Sequence, residues 1–511
     1  MCLFPHRSAV PGGKGARMLQ SLFPLLIVLI IATGFGAAHA SAGYRVTDGR
    51  ITHDGAEINL RGINWFGFET ASLSPHGLWR RSWQELLDEI ENAGFNAVRL
   101  PVCPATLRGR TPSAIDYDRN PDLLGLDSLQ LLDRLMTALN ARQIHVLLDH
   151  HRPDCRRIPA LWYTDDYPES QWIADLVFMA RRYRHLDHFM GLDLKNEPHG
   201  EATWGAGDPA TDWNRAAERA GRAVLAEAPD LLIFVEGIER SGDCRPDVPQ
   251  AWWGGNLSAL ACHPLELPPD RVVLSPHVYG PDVYAQKSFE ADDFPANMHA
   301  IWQAHFGRFA DEGHAVVIGE FGGRYGHHGD SRDIDLQNAL VNYLRSIPIA
   351  GSFYWALNPN SADLHGLLRD DWTRRWPTKL ALLEHLWHGT GLPSSERSDS
   401  DQKIWSPRDG TPPHLYSRHV NIELAYESTP LSANPERYCA DVRVHNVTDR
   451  PLTWDFRMPV IGRPTEVWNA DHEPVEGGLR VRGRSHNRQI APRESVHFGY
   501  CADRPATAKA P

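Results

Sequence analysis

At 511 residues the chain exceeds one small domain and can bury a large core. Charged residues make up 23% and the formal net charge is −12, which leaves no basic footprint for nucleic acid or anionic lipid. The 17 Trp, 14 Tyr and 17 Phe suit stacking on sugar faces and an ordinary aromatic core equally well, so the count alone decides little.

The N-terminus reads as a secretory signal. Arg7, Lys14 and Arg17 precede an apolar run over 22–35, and Ala38-His39-Ala40 forms a small-x-small cleavage site. The run is shorter than the roughly 20 residues a membrane anchor needs, and Pro24 interrupts it. Cleavage after Ala40 is expected, which assigns 1–40 to the signal and makes the protein secreted and extracellular. Cys2 leaves with the signal, and six cysteines remain: Cys103, Cys155, Cys244, Cys262, Cys439 and Cys501. An even number in an exported chain points to disulfides, among about 15 connectivities. No Cys-x-x-Cys or His-x-x-x-His spacing occurs, so no structural zinc is expected.

From 43 to 392 apolar strands alternate with amphipathic helical stretches, the pattern of a parallel α/β sheet. Strands are predicted at 58–65, 96–102, 145–150, 190–195, 231–236, 272–278, 316–320 and 352–357. Helical stretches at 83–93, 126–141, 173–183, 213–227 and 334–344 fall between them. Eight strand–helix units in this length predict a (β/α)8 TIM barrel. A doubly wound open sheet is the alternative, but it would carry a Gly-rich phosphate loop after an early strand, and none is present. Residues 393–412 are polar and rich in Ser, Asp and Pro, as in a linker. Short strands over 413–503, at 420–425, 440–444, 452–456, 465–468, 479–481 and 496–500, predict a small all-β sandwich. Residues 504–511 read as a disordered tail.

A barrel collects its chemistry at the C-terminal ends of its strands. There the sequence places Arg99, His150 and His151, Asn196 with Glu197, Glu236, His277 with Tyr279, Glu320 and Trp355. Two of these are glutamates closing apolar strands in different parts of the chain, Glu197 and Glu320. Such a pair is what glycosidic bond cleavage needs: one carboxyl protonates the leaving oxygen, the other attacks or activates water. Taken singly, either could be an acid satisfied by loop amides. Of His150 and His151 only one can face the cleft, because neighbours on a strand alternate, and His151 is preferred. His76, Trp79, Trp162, Trp213, Trp252 and Trp253 are candidates for further sugar subsites or for packing.

Several stretches carry a resemblance. They are Leu60-Arg-Gly-Ile-Asn-Trp-Phe-Gly-Phe-Glu-Thr70, Val98-Arg-Leu-Pro-Val102, Leu147-Leu-Asp-His-His-Arg-Pro-Asp154, Asp193-Leu-Lys-Asn-Glu-Pro-His199, Ser275-Pro-His-Val-Tyr-Gly-Pro281, Ile318-Gly-Glu-Phe-Gly322 and Phe353-Tyr-Trp-Ala-Leu-Asn358. Through them residues 43–392 resemble glycoside hydrolase family 5, and within it the bacterial secreted endo-β-1,4-glucanases. The resemblance implies Glu197 as general acid/base and Glu320 as nucleophile of a retaining double displacement. It implies Asn196 on the sugar 2-hydroxyl, Arg99 and Tyr279 holding Glu320, His151 and His277 lining the −1 subsite, and Trp355 as its stacking platform. A negative neighbour is expected to keep Glu197 protonated. No metal or organic cofactor is required.

Close relatives of this family tie the loop near Cys155 to a Cys in the segment after Phe-Glu-Thr, where Ala71 stands here. Cys103 is therefore taken as the partner of Cys155, with Cys244–Cys262 and Cys439–Cys501 as the other pairs. The C-terminal domain resembles a family 2 carbohydrate-binding module through Val442-Arg-Val-His-Asn446, Leu452-Thr-Trp-Asp-Phe456, Glu466-Val-Trp-Asn-Ala470, Asn487-Arg-Gln-Ile-Ala-Pro492 and Val496-His-Phe-Gly-Tyr500. Trp468 fills one of the exposed aromatic places of such modules, while His486 stands at another and no Trp precedes Tyr438 at the third. Trp454 is expected in the core. A stabilising appendage is the alternative to a binding module.

The reading is a secreted endo-β-1,4-glucanase acting on a β-1,4-linked polysaccharide. No nucleic-acid partner, no membrane association after signal cleavage and a monomer are expected. A β-mannanase or other β-glycanase on the same fold, and a non-catalytic glycan-binding protein, are the alternatives.

Overall fold

In the computed structural model, the described residues are 43–240, 244–327, 329–361, 364–392, 415–416, 420–425, 437–446, 450–460, 462–475, 478–492 and 494–503. The expected signal, linker and tail lie outside them. The described chain starts with a three-stranded antiparallel sheet, β1 (Tyr44–Thr47), β2 (Arg50–His53) and β3 (Ala56–Ile58). Asp48-Gly49 and Asp54-Gly55 turn its two hairpins, all four residues with positive φ between 48° and 80°. That is the backbone an Asp-Gly turn supplies. The sequence reading missed this sheet, since its strands are only 3–4 residues long and mostly polar.

The barrel follows: β4 (Leu60–Asn64), β5 (Ala97–Val102), β6 (His145–His150), β7 (Phe189–Asp193), β8 (Leu232–Val235), β9 (Val272–Leu274), β10 (His277–Tyr279), β11 (Val317–Gly322) and β12 (Gly351–Tyr354). Neighbouring strands are parallel and run in the order β10-β11-β12-β4-β5-β6-β7-β8-β9. A parallel bridge between Leu274 and Val316 joins the two ends of the sheet. The single strand expected at 272–278 is thus broken into β9 and β10 at Ser275-Pro276. Pro276 has no N–H for the ladder, and its carbonyl accepts from Gly319 N instead (3.0 Å). Eight strand positions close the expected (β/α)8 barrel.

The helices begin where side chains can satisfy their first N–H groups. Ser82 caps Trp83–Asn92 and Asp127 caps Ser128–Ala141, each in a reciprocal capping box with Glu85 or Gln130. Glu169–Tyr183, Trp213–Glu227 and Arg332–Ser346 cover three further predicted stretches. The helical segments not predicted include Pro377–His388, Met298–Trp302 continuing through the π-turn Gln303–Gly307 into Arg308–Asp311, and the short helix Pro104–Leu107. After β8 the expected repeat fails, and the described residues 244–271 hold only the short turns Ser258–Ala261 and Pro269–Arg271.

The core divides by barrel end. Tyr44 and Ile51 of the antiparallel sheet pack with Leu60, Ala97, Leu147, Met190, Leu232, Val317 and Phe353, closing the end where the strands start. The opposite end is left for polar residues. Three disulfides join Cys103–Cys155, Cys244–Cys262 and Cys439–Cys501, the pairs expected.

The C-terminal region is antiparallel. One sheet runs Leu415–Tyr416, Val420–Ala425, Arg437–Asn446, Ser495–Asp503, Arg463–Trp468, and a second runs Asp455–Pro459, Gly478–Gly483, Ala470–Val475. Trp454 is buried, donates from Nε1 to Asn487 O (2.7 Å) and stacks on Phe498. Trp468 is not an exposed platform. It lies on the Gly499 backbone, where an added Cβ would meet its ring at 2.1 Å. On the barrel side it stacks with Trp79, ring centroids 6.3 Å apart. Arg80–Glu466 and Arg484–Asp118 ion pairs and the bond from Asn469 Nδ2 to Ile115 O border that contact.

Candidate active site

Arg99, in the middle of β5, is fully buried and organises the floor of the cleft. Nη1 pairs with Glu320 Oε1 and donates to Asn64 Oδ1 (3.1 Å). Nη2 reaches Asn196 Oδ1 (3.0 Å), Asp149 Oδ2 (3.0 Å) and Glu236 Oε1 (3.4 Å), and Nε donates to Asp193 Oδ2 (3.1 Å). Although burial opposes any charge, these carboxylates hold the guanidinium well above its usual range. The acids cannot all be ionised around one cation. Burial pushes Asp149 up to about 6 and Asp193 up to about 7, and carries Glu236 well above the carboxylate range.

The two strand-end glutamates meet over this floor. An oxygen of Glu197, an oxygen of Glu320 and a nitrogen of His277 all lie within 4.8 Å of one another. Tyr279 donates to Glu320 Oε2 (2.5 Å), so Glu320 has one oxygen on Arg99 and the other on a phenol. His277 Nδ1 lies 3.1 Å from Glu197 Oε1, and its Nε2 lies 3.1 Å from Glu236 Oε1. Glu236 Oε2 in turn accepts the Glu197 backbone N–H (2.8 Å). The result is a ring of contacts, Glu197 carboxyl to His277 to Glu236 to Glu197 amide. It holds Glu197 at φ 54°, a left-handed conformation that a side-chain-bearing residue adopts at a cost. Gly254 closes the loop over this ring, and a Cβ there would meet Glu236 Oε2 at 2.3 Å.

Protonation departs from the expectation for Glu197. Burial would raise its carboxyl, but the bond and charge of His277 outweigh burial and lower it. Burial works against the imidazolium too, yet the Glu236 and Glu320 carboxylates and the Glu197 bond raise His277 well above its usual range. Each group of the pair thus favours the charged form of the other. The expectation considered negative neighbours only and left out the imidazole between them.

The remaining predicted residues surround the pair. His151 Nδ1 donates to Asp149 Oδ2 (2.5 Å), and its ring lies 5.8 Å from that of Trp355. Burial and the Arg152 charge keep His151 neutral. His150 turns the other way, to Tyr167 (2.9 Å). Trp355 is half-buried, stacked beside Phe66 at 5.4 Å and tied by Nε1 to Ser361 (3.1 Å). Asn196 has its oxygen on Arg99, while its buried Nδ2 has no protein partner. A donor in that position can serve a ligand hydroxyl.

Of the further subsite candidates, Trp162, Trp213 and Trp252 are buried, and His76 is buried among Thr70, Ser72 and Asn360. Trp79 packs between Trp372 and Trp468. Trp253 alone of these is exposed, 42%, with its ring 3.7 Å from that of His199, two residues past Glu197. Sequence reasoning missed Asn64, Asp149 and Asp193 as parts of the site. The signal was present in the two aspartates, which are lone acids inside otherwise apolar strands, Leu147-Leu-Asp149 and Gly191-Leu-Asp193.

Known proteins resemble this chain in sequence and fold. The family model for cellulase (glycosyl hydrolase family 5) matches residues 52–361. The major extracellular endoglucanase of Xanthomonas campestris pv. campestris is 46% identical over 94% of this chain and 100% of its own length. An endoglucanase of Paenibacillus polymyxa is 41% identical over 70% of this chain and 92% of its own. The solved catalytic domain of the Xanthomonas enzyme superposes with TM-score 0.65 at 54% identity, covering 67% of this chain and 99% of that one. A cellotetraose complex of the endocellulase from Pyrococcus horikoshii superposes with TM-score 0.66 at 44% identity, covering 68% and 98%. With the barrel, the buried arginine and the paired glutamates in place, the chain belongs to the cellulases of glycosyl hydrolase family 5.

Proposed function

We propose that the protein is a secreted, retaining endo-β-1,4-glucanase that cuts internal bonds of cellulose or soluble β-glucans by double displacement. The observation that carries this is the approach of the Glu197 and Glu320 carboxylate oxygens to within 4.8 Å. Retaining enzymes hold their two carboxyl groups about 5–5.5 Å apart, and inverting enzymes leave room for a water at about 6.5–9.5 Å. Similarity to endoglucanases over the barrel favours β-1,4-glucan as substrate, and the extracellular relative favours export. Among the described residues no helix is long and apolar enough to cross a membrane.

Glu320, held between Arg99 and Tyr279, attacks the anomeric carbon, and the glycosyl ester forms as the glycosidic C–O bond breaks. The leaving oxygen takes its proton from Glu197. As substrate displaces water, the drier cleft favours the neutral Glu197–His277 pair over the ion pair. The proton then crosses the 3.1 Å contact from Nδ1 to Oε1 and on to the leaving group. Glu197, now a base, activates the water that hydrolyses the ester. Asn196 Nδ2 binds the 2-hydroxyl, Trp355 stacks under the −1 sugar, His151 borders it, and Trp253 offers a platform beyond the scissile bond. The C-terminal sandwich is a divergent family 2-like module.

The test is hydrolysis of carboxymethylcellulose, mixed-linkage β-glucan, glucomannan and galactomannan, with product anomers followed by NMR in the first minutes. Rapid viscosity loss on carboxymethylcellulose with β-anomers first is expected. α-Anomers first would refute double displacement, and a strong preference for mannan would move the substrate. Glu320→Gln should remove turnover by several orders of magnitude and leave cellotetraose binding in place.

A further inference from the structure

At the opposite end of the barrel from the glutamates, three histidines from distant parts of the chain converge. His53 ends β2, His145 begins β6 and His188 immediately precedes β7. One ring nitrogen from each lies within 4.8 Å of the other two. The three ring centroids form a near-equilateral triangle, 5.6 Å for His53–His145, 5.2 Å for His53–His188 and 5.3 Å for His145–His188. An ion held at about 2.0–2.1 Å from three imidazole nitrogens requires the rings to converge in this way.

Three further observations point to a cation. First, Tyr44 OH lies 2.6 Å from His145 Nδ1. That bond occupies one ring nitrogen and holds the ring in place, which leaves Nε2 as the ligand atom, as for a metal-ligating histidine held by a second partner. Second, His188 Nδ1 is buried without a hydrogen-bond partner. Third, a carboxylate borders the cluster: Asp54 Oδ2 lies 3.9 Å from His53 Nε2. Imidazoles beside a carboxylate suit a divalent ion of the zinc, copper or nickel type. Among the described residues the two other convergent groups of this kind, Asp193–Glu236–His277 and Glu197–His277–Glu320, already face the Arg99 guanidinium.

We propose that His53, His145 and His188 bind one divalent transition-metal ion, Zn2+ in the first instance, with solvent in the fourth position. The ion would tie the N-terminal antiparallel sheet to the start of β6 and β7. It would act on stability and take no part in the chemistry at the far end. Sequence spacing could not reveal this set, because its three members lie on separate elements.

The test uses the full mature chain, stripped with a strong chelator and titrated with Zn2+ by calorimetry. One ion per chain is expected. At a hundredfold excess over Kd, Tm should rise on the order of 5 °C. His53→Gln and His188→Gln, both at half-buried positions, should each lose the binding and the rise in Tm. Carboxymethylcellulose hydrolysis should be retained, which shows the variants fold. Tyr44→Phe should weaken binding by about 10- to 100-fold. Absence of saturable binding would overturn the proposal. So would binding that survives both histidine substitutions unchanged, since the ion would then sit on other histidines.

Discussion

Glu236 braces both the backbone of Glu197 and the imidazole that faces its carboxyl. It accepts the Glu197 amide proton, which fixes the strained backbone, and it faces His277, which shares a proton with the Glu197 carboxyl. Glu236→Gln keeps an acceptor for that amide but cannot ionise, so on the alkaline side, where Glu236 would carry charge, the His277 imidazolium loses a facing carboxylate. The alkaline limb of kcat/KM should move to lower pH by on the order of one unit, with KM for soluble glucan little changed. A fall in activity at every pH with an unshifted limb would mean that Glu236 serves only as a brace. The eight residues taken from the sequence gather in one cleft because each sits in a motif on a barrel strand or just after it. Asp149 and Asp193 were not foreseen, because their part depends on which carboxylates close around Arg99 in three dimensions.

At the scale of elements, continuous apolar runs such as His145–His150 and the capped helix Ser128–Ala141 were readable from period and cap alone. The break at Pro276 and the polar N-terminal sheet were not, since barrel closure rather than local preference sets them. Trp468 is the instructive case. Its position matches an exposed platform in a family 2-like module, yet Gly499 covers one side and Trp79 stacks against it from the barrel. The indole instead bridges the C-terminal strands and the barrel. Trp468→Ala should cost about 3 kcal/mol, as for a large aromatic removed from a packed site, and should lower the unfolding temperature in calorimetry. Retention on microcrystalline cellulose should change less than about twofold, since no free indole face is lost. Loss of cellulose binding with an unchanged Tm would restore the platform reading.

For the whole molecule, buried titratable groups set the response to acid. His150 and His305 are both buried, and desolvation pushes each down to about 4, from about 6.5 in the unfolded chain. Between those values the unfolded chain binds more protons, so these groups make stability rise with pH. Their contribution is complete above pH 6.5 and is lost as pH falls towards 4. Asp149 and Asp193, raised to about 6 and 7, act with the opposite sign across much of the same window, because there the folded chain holds the extra protons. The net slope is therefore a difference between opposing groups, and a single wild-type curve cannot separate them. A variant can. Among the described residues the His305 ring bonds to the Pro249 carbonyl through Nε2 (2.7 Å), and it lies outside the group around Arg99. His305→Gln keeps a donor for that carbonyl but has no proton to take up in acid. It should be less stable than wild type at pH 7, and the gap should close by about 3 kcal/mol by pH 4. Urea unfolding of both proteins at pH 7, 5.5 and 4 measures this, and curves that stay parallel would show that His305 is not held neutral by burial.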